Sequence, residues 1–315
     1  MKRLLKLAAV IVAVLLVLIG VDLATGRHVV YWIGIRLLYV EATLPDTQIV
    51  RDQPYGKGAP DPKHRFDLYL PAHSGFPMAV FVHGGGWTEG DKGTQIGGAD
   101  IFGNIGRFLA GHGIGTAVIS YRLLPDVTWR DQIDDVAQAV VAARSALIAR
   151  GGKPAALFLM GHSAGAQLVT RVALDPAPLA RAGGSTSFVC GVVPVSGAAL
   201  DLTDQQTWDL GAKIDYYRER FATGGEPDWQ KLASPMTFLT AKAPPFLVIH
   251  SGRESKPLRR QSEWLVDSLR ELEVPVHLVV VPGGSHGIIV LSLSRSDDTA
   301  GPIVVQFMTT LSCAR

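Results

Sequence analysis

A serine in a glycine-flanked turn is the strongest chemical signal in the sequence. The pentapeptide GHSAG at 161–165 follows an apolar run at 156–160 and precedes the amphipathic run AQLVTRVAL. A serine on a sharp turn between a strand and a helix has an exposed hydroxyl, and Gly161 and Gly165 leave room for such a turn. This context favours Ser163 as a nucleophile over the alternative of a serine that caps an ordinary helix.

A second signal is the run of glycines in HGGGW at 83–87, directly after the apolar run at 79–82. Glycines leave backbone N–H groups unshielded, and such donors can stabilise the oxyanion that forms when a hydroxyl attacks a carbonyl. A phosphate-binding loop is an alternative, but no Lys-Ser/Thr pair follows and the spacing matches no dinucleotide fingerprint. A plain flexible loop is the other alternative. The position after a strand favours acyl-transfer chemistry.

A serine hydroxyl needs a base, and the base needs a carboxylate that orients it. Among the nine histidines, His286 is the best candidate because it lies in a glycine-rich loop just past the last apolar run. Catalytic groups of parallel sheets collect at that carboxyl edge. Glu254, four residues after the run at 246–250, is the favoured carboxylate, and Asp201 is the alternative. The chain order of nucleophile, acid and histidine is that of the α/β-hydrolases.

The residues after Asp46 predict elements that would position these groups. Short apolar runs alternate with helical segments, and continuous apolar runs are typical of strands covered on both faces. Strands are predicted at 66–70, 79–82, 116–120, 156–160, 188–195, 246–250 and 276–281. Helices are predicted at 101–110, 130–149, 167–174, 259–272 and 303–311. The alternation predicts an α/β fold with a mostly parallel sheet and helices on both faces.

One stretch, 201–242, breaks this alternation and is predicted to be a small cap insertion over the sheet. Its aromatic residues either line a pocket or pack the insertion against the sheet, and the sequence does not separate the two. These residues are Trp208, Tyr216, Tyr217, Phe221 and Trp229.

Together the motifs resemble the hormone-sensitive-lipase-like and bacterial carboxylesterase group of the α/β-hydrolases. The likeness runs from about residue 54 to 286 and includes HGGGWTEGDK, SYRLLPD, GHSAGAQL, VSGAALDL and GGSHG in the family's order. The resemblance implies Ser163 as nucleophile, His286 as base and Glu254 as orienting acid, although the family usually has Asp at that last position. It also implies an oxyanion hole of three backbone N–H groups, those of Gly85, Gly86 and Ala164.

The resemblance implies a serine hydrolase that cleaves carboxylic esters through an acyl-enzyme intermediate, without a metal or cofactor. One alternative is an amide hydrolase, because aryl formamidases, which cleave N-formylkynurenine, share the HGG-x-W and GHSAG pattern. Another is an inactive hydrolase fold used as a binding surface or scaffold. Such proteins usually lose the serine, the histidine or the glycine run, and this chain retains all three.

The overall composition excludes other classes. The 315 residues include 30 Lys+Arg and 28 Asp+Glu, for a formal net charge of +2. There is no basic stripe of a nucleic-acid binder and no acidic run of a disordered tail. Cys190 and Cys313 are far apart in sequence and too few for a disulfide scaffold, so we expect two unlinked thiols.

The first 25 residues differ from the rest of the chain. Lys2, Arg3 and Lys6 precede an uncharged apolar run at 7–21, and such a layout describes a membrane anchor or a signal peptide. No good cleavage site follows, which favours an anchor at 1–25. The positive residues ahead of the run predict a catalytic domain outside the cytoplasm, in the periplasm of a Gram-negative source, or secreted after cleavage.

After the predicted anchor, the chain divides into a linker and a catalytic domain. An apolar stretch at 29–40 is too short to span a bilayer and predicts a helix on the membrane interface or the enzyme body. It lies in a predicted linker at 26–53, and the catalytic domain is expected at 54–315.

Overall fold

The computed structural model describes residues 39–56 and 61–313, together with Val14. Its strands are, in chain order, β1 (Ile49–Pro54), β2 (Arg65–Tyr69), β3 (Phe76–Val82), β4 (Gln95–Ile96), β5 (Ala99–Asp100), β6 (Gly115–Ile119), β7 (Gly152–His162), β8 (Val189–Val195), β9 (Phe246–Ser251) and β10 (Val276–Val281). Eight of them form one sheet in the order β1-β2-β6-β3-β7-β8-β9-β10, and β4 and β5 form a separate hairpin. In the eight-stranded sheet β2 is antiparallel to both β1 and β6, and the other neighbouring pairs are parallel.

The helices are α1 (Ile101–Gly111), α2 (Trp129–Ile148), α3 (Ala164–Leu174), α4 (Pro176–Arg181), α5 (Gln205–Asp209), α6 (Ile214–Phe221), α7 (Trp229–Ala233), α8 (Lys256–Glu271), α9 (Ile288–Leu291) and α10 (Ala300–Thr310). Helix α2 begins with a capping box, in which Thr128 and Asp131 exchange hydrogen bonds between side chain and backbone. Its apolar residues Ile133, Val136 and Val140 recur at helical spacing and are buried against the sheet.

Successive side chains of β3 point to opposite faces of the sheet. Val80 and Val82 pack in an apolar cluster with residues of α2, α3 and α8. Ala79 and Phe81 pack in a second cluster with residues of α1, α9 and α10. Because helices cover both faces, the central strands are apolar at most positions, which explains the continuous runs in the sequence. The predicted α/β fold class is confirmed.

Strand β1 was not predicted from the sequence. It pairs with β2 and has a register shift between Val50 and Gln53. Arg51 and Asp52 within it are exposed, so the strand lacks both a continuous apolar run and a regular alternation. The sheet therefore includes residues ahead of position 54, where the predicted domain begins.

The prediction of a membrane-anchored enzyme with an extracytoplasmic catalytic domain is corrected here. Within residues 39–56 and 61–313, no helix combines the length and the apolar composition that a bilayer crossing requires. The segment 1–25 and most of the apolar stretch at 29–40 lie outside the described residues.

The prediction of two unlinked thiols is wrong, because Cys190 and Cys313 form a disulfide with Cα atoms 5.2 Å apart. Helix α10 packs beside β8, where a Cβ added to Gly191 would lie only 2.9 Å from the ring of Phe307. The chain after α10 therefore returns to the amino end of β8, where Cys190 lies. Sequence spacing carries no information about this contact, since the topology of the whole domain creates it.

We expect the disulfide to stabilise the domain. Cys313→Ser should lower the free energy of unfolding by about 3 kcal/mol, because the cross-link restricts a long loop in the unfolded chain. The melting temperature should fall by roughly 5 °C or more. Thermal unfolding followed by circular dichroism measures this. A reductant should lower the melting temperature of the wild type but not of Cys313→Ser; an unchanged wild type under reductant would contradict the prediction.

Two histidines at the carboxyl ends of strands are buried. His83 directly follows β3, and burial lowers its pKa from 6.5 to about 4. His162 ends β7, and burial, with the neighbouring His286 charge as a smaller cause, lowers its pKa from 6.5 to about 3. Both imidazoles are therefore neutral in the folded protein at neutral pH.

This burial predicts a loss of stability in mild acid. Above the unfolded pKa of about 6.5 neither state binds a proton at these sites, whereas below it only the unfolded state does. The free energy of unfolding should therefore fall as the pH drops from 6.5 to 5, by up to about 1.4 kcal/mol per pH unit for each buried histidine. Urea unfolding at several pH values measures the slope. His162→Gln should reduce it, whereas His73→Gln, at an exposed position, should not; equal slopes in both variants would refute the explanation.

Candidate active site

The turn between β7 and α3 presents Ser163. Its backbone has φ 54° and ψ −116°, a conformation that residues other than glycine rarely adopt. A Cβ on Gly161 would overlap the backbone of Gly165, and a Cβ on Gly165 would overlap the carbonyls of Val82 and His83. The two glycines of the GHSAG motif are thus required by close backbone packing at this turn.

Three side chains from three loops meet at the carboxyl edge of the sheet. Nε2 of His286 lies 2.9 Å from Oγ of Ser163. Nδ1 of His286 lies 3.1 Å from Oε2 and 3.2 Å from Oε1 of Glu254. The geometry lets Ser163 Oγ–H donate to Nε2 while Nδ1–H donates to the carboxylate, so the predicted nucleophile, base and acid form one hydrogen-bonded chain.

The alternative acid, Asp201, is elsewhere. One of its carboxylate oxygens accepts hydrogen bonds from the backbone and side chain of Thr203, and the other accepts from Nε1 of Trp264. These contacts hold Asp201 to its own turn and to α8. The structure therefore brings Glu254, and not Asp201, to His286.

The loops that carry Glu254 and His286 are joined through their backbones. The N–H of Gly252 donates to the carbonyl of Val281 at 2.8 Å, and the N–H of Arg253 donates to the carbonyl of Gly284 at 3.1 Å. These bonds continue the pairing of β9 with β10 beyond the strand ends. The separation between the acid and the histidine is thus fixed by the backbone as well as by their own contact.

The environment of Glu254 favours its ionised form. Its side chain is almost completely buried, with 1% of its surface exposed. Burial acts to raise the pKa of the carboxyl, but the hydrogen bond and charge interaction with His286, together with the Ser196 hydroxyl and the backbone N–H of Ser255, lower it, so the pKa lies below its usual value. An ionised Glu254 is able to orient the imidazole and to stabilise its protonated form.

The glycine loop after β3 presents backbone N–H groups near Ser163 that donate to no residue in the described part of the chain. His83 Nδ1–H donates to the carbonyl of Gly84 at 2.7 Å. The carbonyl of Gly85 accepts from the N–H groups of Thr88 and Glu89 at 3.1 and 2.9 Å. Because C=O and N–H point in opposite directions in a trans peptide, these bonds turn the N–H groups of the next residues, Gly85 and Gly86, away from the loop.

Two of these glycines have conformations that other residues rarely adopt. Gly85 has φ +119° and Gly86 has φ +58°. A Cβ on Gly85 would overlap the backbone of Glu89. The third predicted donor, the N–H of Ala164, is the first of α3 and has no acceptor within the helix. The arrangement is capable of binding an oxyanion between the glycine loop and α3.

Trp87 anchors the glycine loop to the rest of the domain. Its side chain is buried, and its Nε1 donates to Oε1 of Gln167 at 3.2 Å. Its carbonyl accepts from Nε2 of Gln132 at 2.8 Å and from the N–H of Leu124 at 3.0 Å. Sequence reasoning did not identify Gln132 and Gln167, which lie within helices and carry no local signal of this role.

A cavity of about 350 Å³ opens in front of Ser163 and His286. The cap supplies Tyr216 and Tyr217 to its lining, whereas Phe221 is buried against Trp87 with ring centroids 4.9 Å apart. The aromatic residues of 201–242 therefore divide between the two interpretations. Tyr216 and Tyr217 line a pocket, whereas Phe221 packs the segment against the rest of the domain.

The chain is similar to known esterases over most of its length. Esterase LipC of Mycobacterium tuberculosis is 30% identical over 237 residues, which are 73% of this chain and 57% of that protein. Isoprenylcysteine alpha-carbonyl methylesterase ICME of Arabidopsis thaliana is 28% identical over 252 residues, 76% of this chain and 56% of that protein. The chain thus spans little more than half the length of these relatives.

Solved structures have the same fold. A truncated carbohydrate esterase from gut microbiota matches with a TM-score of 0.70 and 21% identity, over 87% of this chain and 100% of that chain. An esterase of Pyrobaculum calidifontis matches with a TM-score of 0.70 and 20% identity, over 90% and 91%. A family model described as alpha/beta hydrolase fold matches residues 79–290. The chain therefore belongs to the α/β-hydrolase fold family, and its resemblance to the hormone-sensitive-lipase-like and carboxylesterase group is confirmed.

Proposed function

We propose that this protein is a serine hydrolase that cleaves carboxylic esters through an acyl-enzyme intermediate. The observation that carries the proposal is the hydrogen-bonded chain from Ser163 through His286 to Glu254, beside the N–H groups of the glycine loop. The names of its relatives agree, since LipC is an esterase and ICME a methylesterase. The catalytic domain is proposed at 54–315, with the cap at 201–242 over the site.

The proposed reaction has two halves. Oγ of Ser163 attacks the ester carbonyl while its proton moves to Nε2 of His286, and three N–H groups, those of Gly85, Gly86 and Ala164, stabilise the oxyanion. The intermediate then breaks the bond to the alcohol oxygen, which takes the proton from Nε2 and leaves. Water attacks the acyl-enzyme as its proton passes to Nε2 of His286, and the intermediate then breaks the bond to Oγ, which takes that proton back as the acid leaves. Glu254 holds the imidazole and stabilises its charge in both halves.

Removal of the nucleophile tests this mechanism. Ser163→Ala should lower kcat/KM for p-nitrophenyl butyrate by at least about 10³-fold, because the residual oxyanion donors cannot replace the covalent route. Ser187→Ala, at an exposed serine, is the matched control and should retain wild-type turnover. Wild-type turnover by Ser163→Ala would exclude the mechanism.

Two further measurements separate the proposal from its alternatives. An inactive scaffold would fail to react with a fluorophosphonate probe, whereas the proposed enzyme is labelled at Ser163. An aryl formamidase would prefer N-formylkynurenine, whereas we expect kcat/KM to be higher on short-chain esters.

The identity of the acid is tested by paired amide substitutions. Glu254→Gln should lower kcat by roughly 10²- to 10⁴-fold, because the amide no longer stabilises the imidazolium and can favour the wrong tautomer. Asp201→Asn should change kcat by less than about threefold, because Asp201 contacts Thr203 and Trp264 and not His286. Steady-state kinetics on one ester distinguishes the two; the reverse ranking would assign the role to Asp201.

A further inference from the structure

Tyr216 of the cap brings a hydroxyl group to the glycine loop. A Cβ built on Gly86 would lie only 2.5 Å from Oη of Tyr216, so the hydroxyl lies directly beside this glycine. Tyr216 also lines the cavity that contains Ser163 and His286. The hydroxyl thus lies on the substrate side of the loop whose N–H groups are proposed to bind the oxyanion.

Arg220, one turn further along α6, holds Tyr216 in this place. Its guanidinium carbon lies 3.5 Å from the centroid of the Tyr216 ring. Its Nη1 donates to the Tyr216 carbonyl at 2.8 Å, and its Nε donates to the Gly86 carbonyl at 3.0 Å. Arg220 therefore connects the tyrosine ring, the cap helix and the glycine loop as one unit.

The Tyr216 hydroxyl forms no hydrogen bond with any residue that the structure describes. Tyr55 and Tyr121, in contrast, use their hydroxyls internally: Tyr55 donates to the Ser120 carbonyl at 2.7 Å, and Tyr121 donates to the His83 carbonyl at 3.2 Å. The Tyr216 ring is fixed by Arg220 while its donor remains free within the cavity. Such an oriented donor costs little reorganisation when a charge develops beside it.

We propose that Tyr216 is a further catalytic residue, whose hydroxyl donates a hydrogen bond to the substrate carbonyl oxygen as that oxygen becomes an oxyanion. Arg220 is a positioning residue that holds the phenol over Gly86. The inference rests on the proposed ester hydrolysis and adds a side-chain donor from the cap to the three backbone N–H groups. The cap therefore takes part in the chemical step as well as in forming the cavity.

Removal of the hydroxyl alone tests this role. Tyr216→Phe should lower kcat for p-nitrophenyl butyrate about tenfold or more, because a donor to the oxyanion is lost in the transition state. KM should change by less than about twofold, since a bond made mainly in the transition state contributes little to ground-state binding. The inhibition constant of a trifluoromethyl ketone analogue, which forms a tetrahedral adduct on Ser163, should rise by the same factor as kcat/KM falls.

The controls separate the hydroxyl from general effects on the fold. Tyr39→Phe removes a phenol hydroxyl that donates to the Asp100 carbonyl, and it should leave kcat unchanged. Tyr216→Leu also lacks the donor and should show at least the kcat loss of Tyr216→Phe. Wild-type kcat in either Tyr216 variant, or a rise in KM without a fall in kcat, would overturn the inference. Absence of esterase activity in the wild type would instead refute the proposed function itself.

Discussion

The turn at Ser163 is the constraint on which the site depends. Its φ and ψ lie outside the regions that ordinary residues occupy, and such a conformation costs of order 1–3 kcal/mol unless the surroundings hold it. Here the surroundings are the backbones of β3 and β8, since Gly165 packs against the Val82 carbonyl and the Ser163 N–H donates to the Val195 carbonyl at 2.9 Å. The same strands carry the glycine loop and border β9. One packing arrangement therefore sets the direction of Oγ and the position of the groups that are proposed to act on it.

Two of the proposed oxyanion donors are oriented by hydrogen bonds to the carbonyl groups of their own peptides. Each candidate N–H of the glycine loop belongs to a peptide whose carbonyl is already bonded on the opposite side, to His83 Nδ1 in one case and to two backbone N–H groups in the other. Burial of His83 lowers its pKa, so the imidazole remains neutral at neutral pH, and the proton on Nδ1 is the one that a carbonyl acceptor requires. A charged or exposed side chain at this position would bring water to the same carbonyl. The burial of His83 thus helps to set the direction of the Gly85 N–H, although His83 does not line the cavity in front of Ser163.

The features that could be predicted from the sequence are those that depend on a local pattern of residues. The central strands were recognisable because both faces are buried, and Ser163 and His286 because tight loops at strand ends need glycine. Strand β1 was missed because Arg51 and Asp52 face solvent at the edge of the sheet. The cysteine pairing was missed because it depends on where α10 returns, which no local pattern encodes. Tyr216 belonged to a group of aromatic residues that the sequence left undivided, and only the position of α6 over Gly86 separates it from the others.

The distance that the side chain of Glu254 must span to reach His286 is also set by the backbone. The hydrogen bonds from Gly252 to Val281 and from Arg253 to Gly284 fix the spacing of the two loops before any side chain is considered. Across that spacing both carboxylate oxygens of Glu254 come within 3.2 Å of His286 Nδ1. An aspartate is one methylene shorter, by about 1.5 Å along the chain, and would reach Nδ1 only if one loop moved toward the other. The longer acid is therefore matched to these loops, and the usual aspartate of the family would require a different connection after β9.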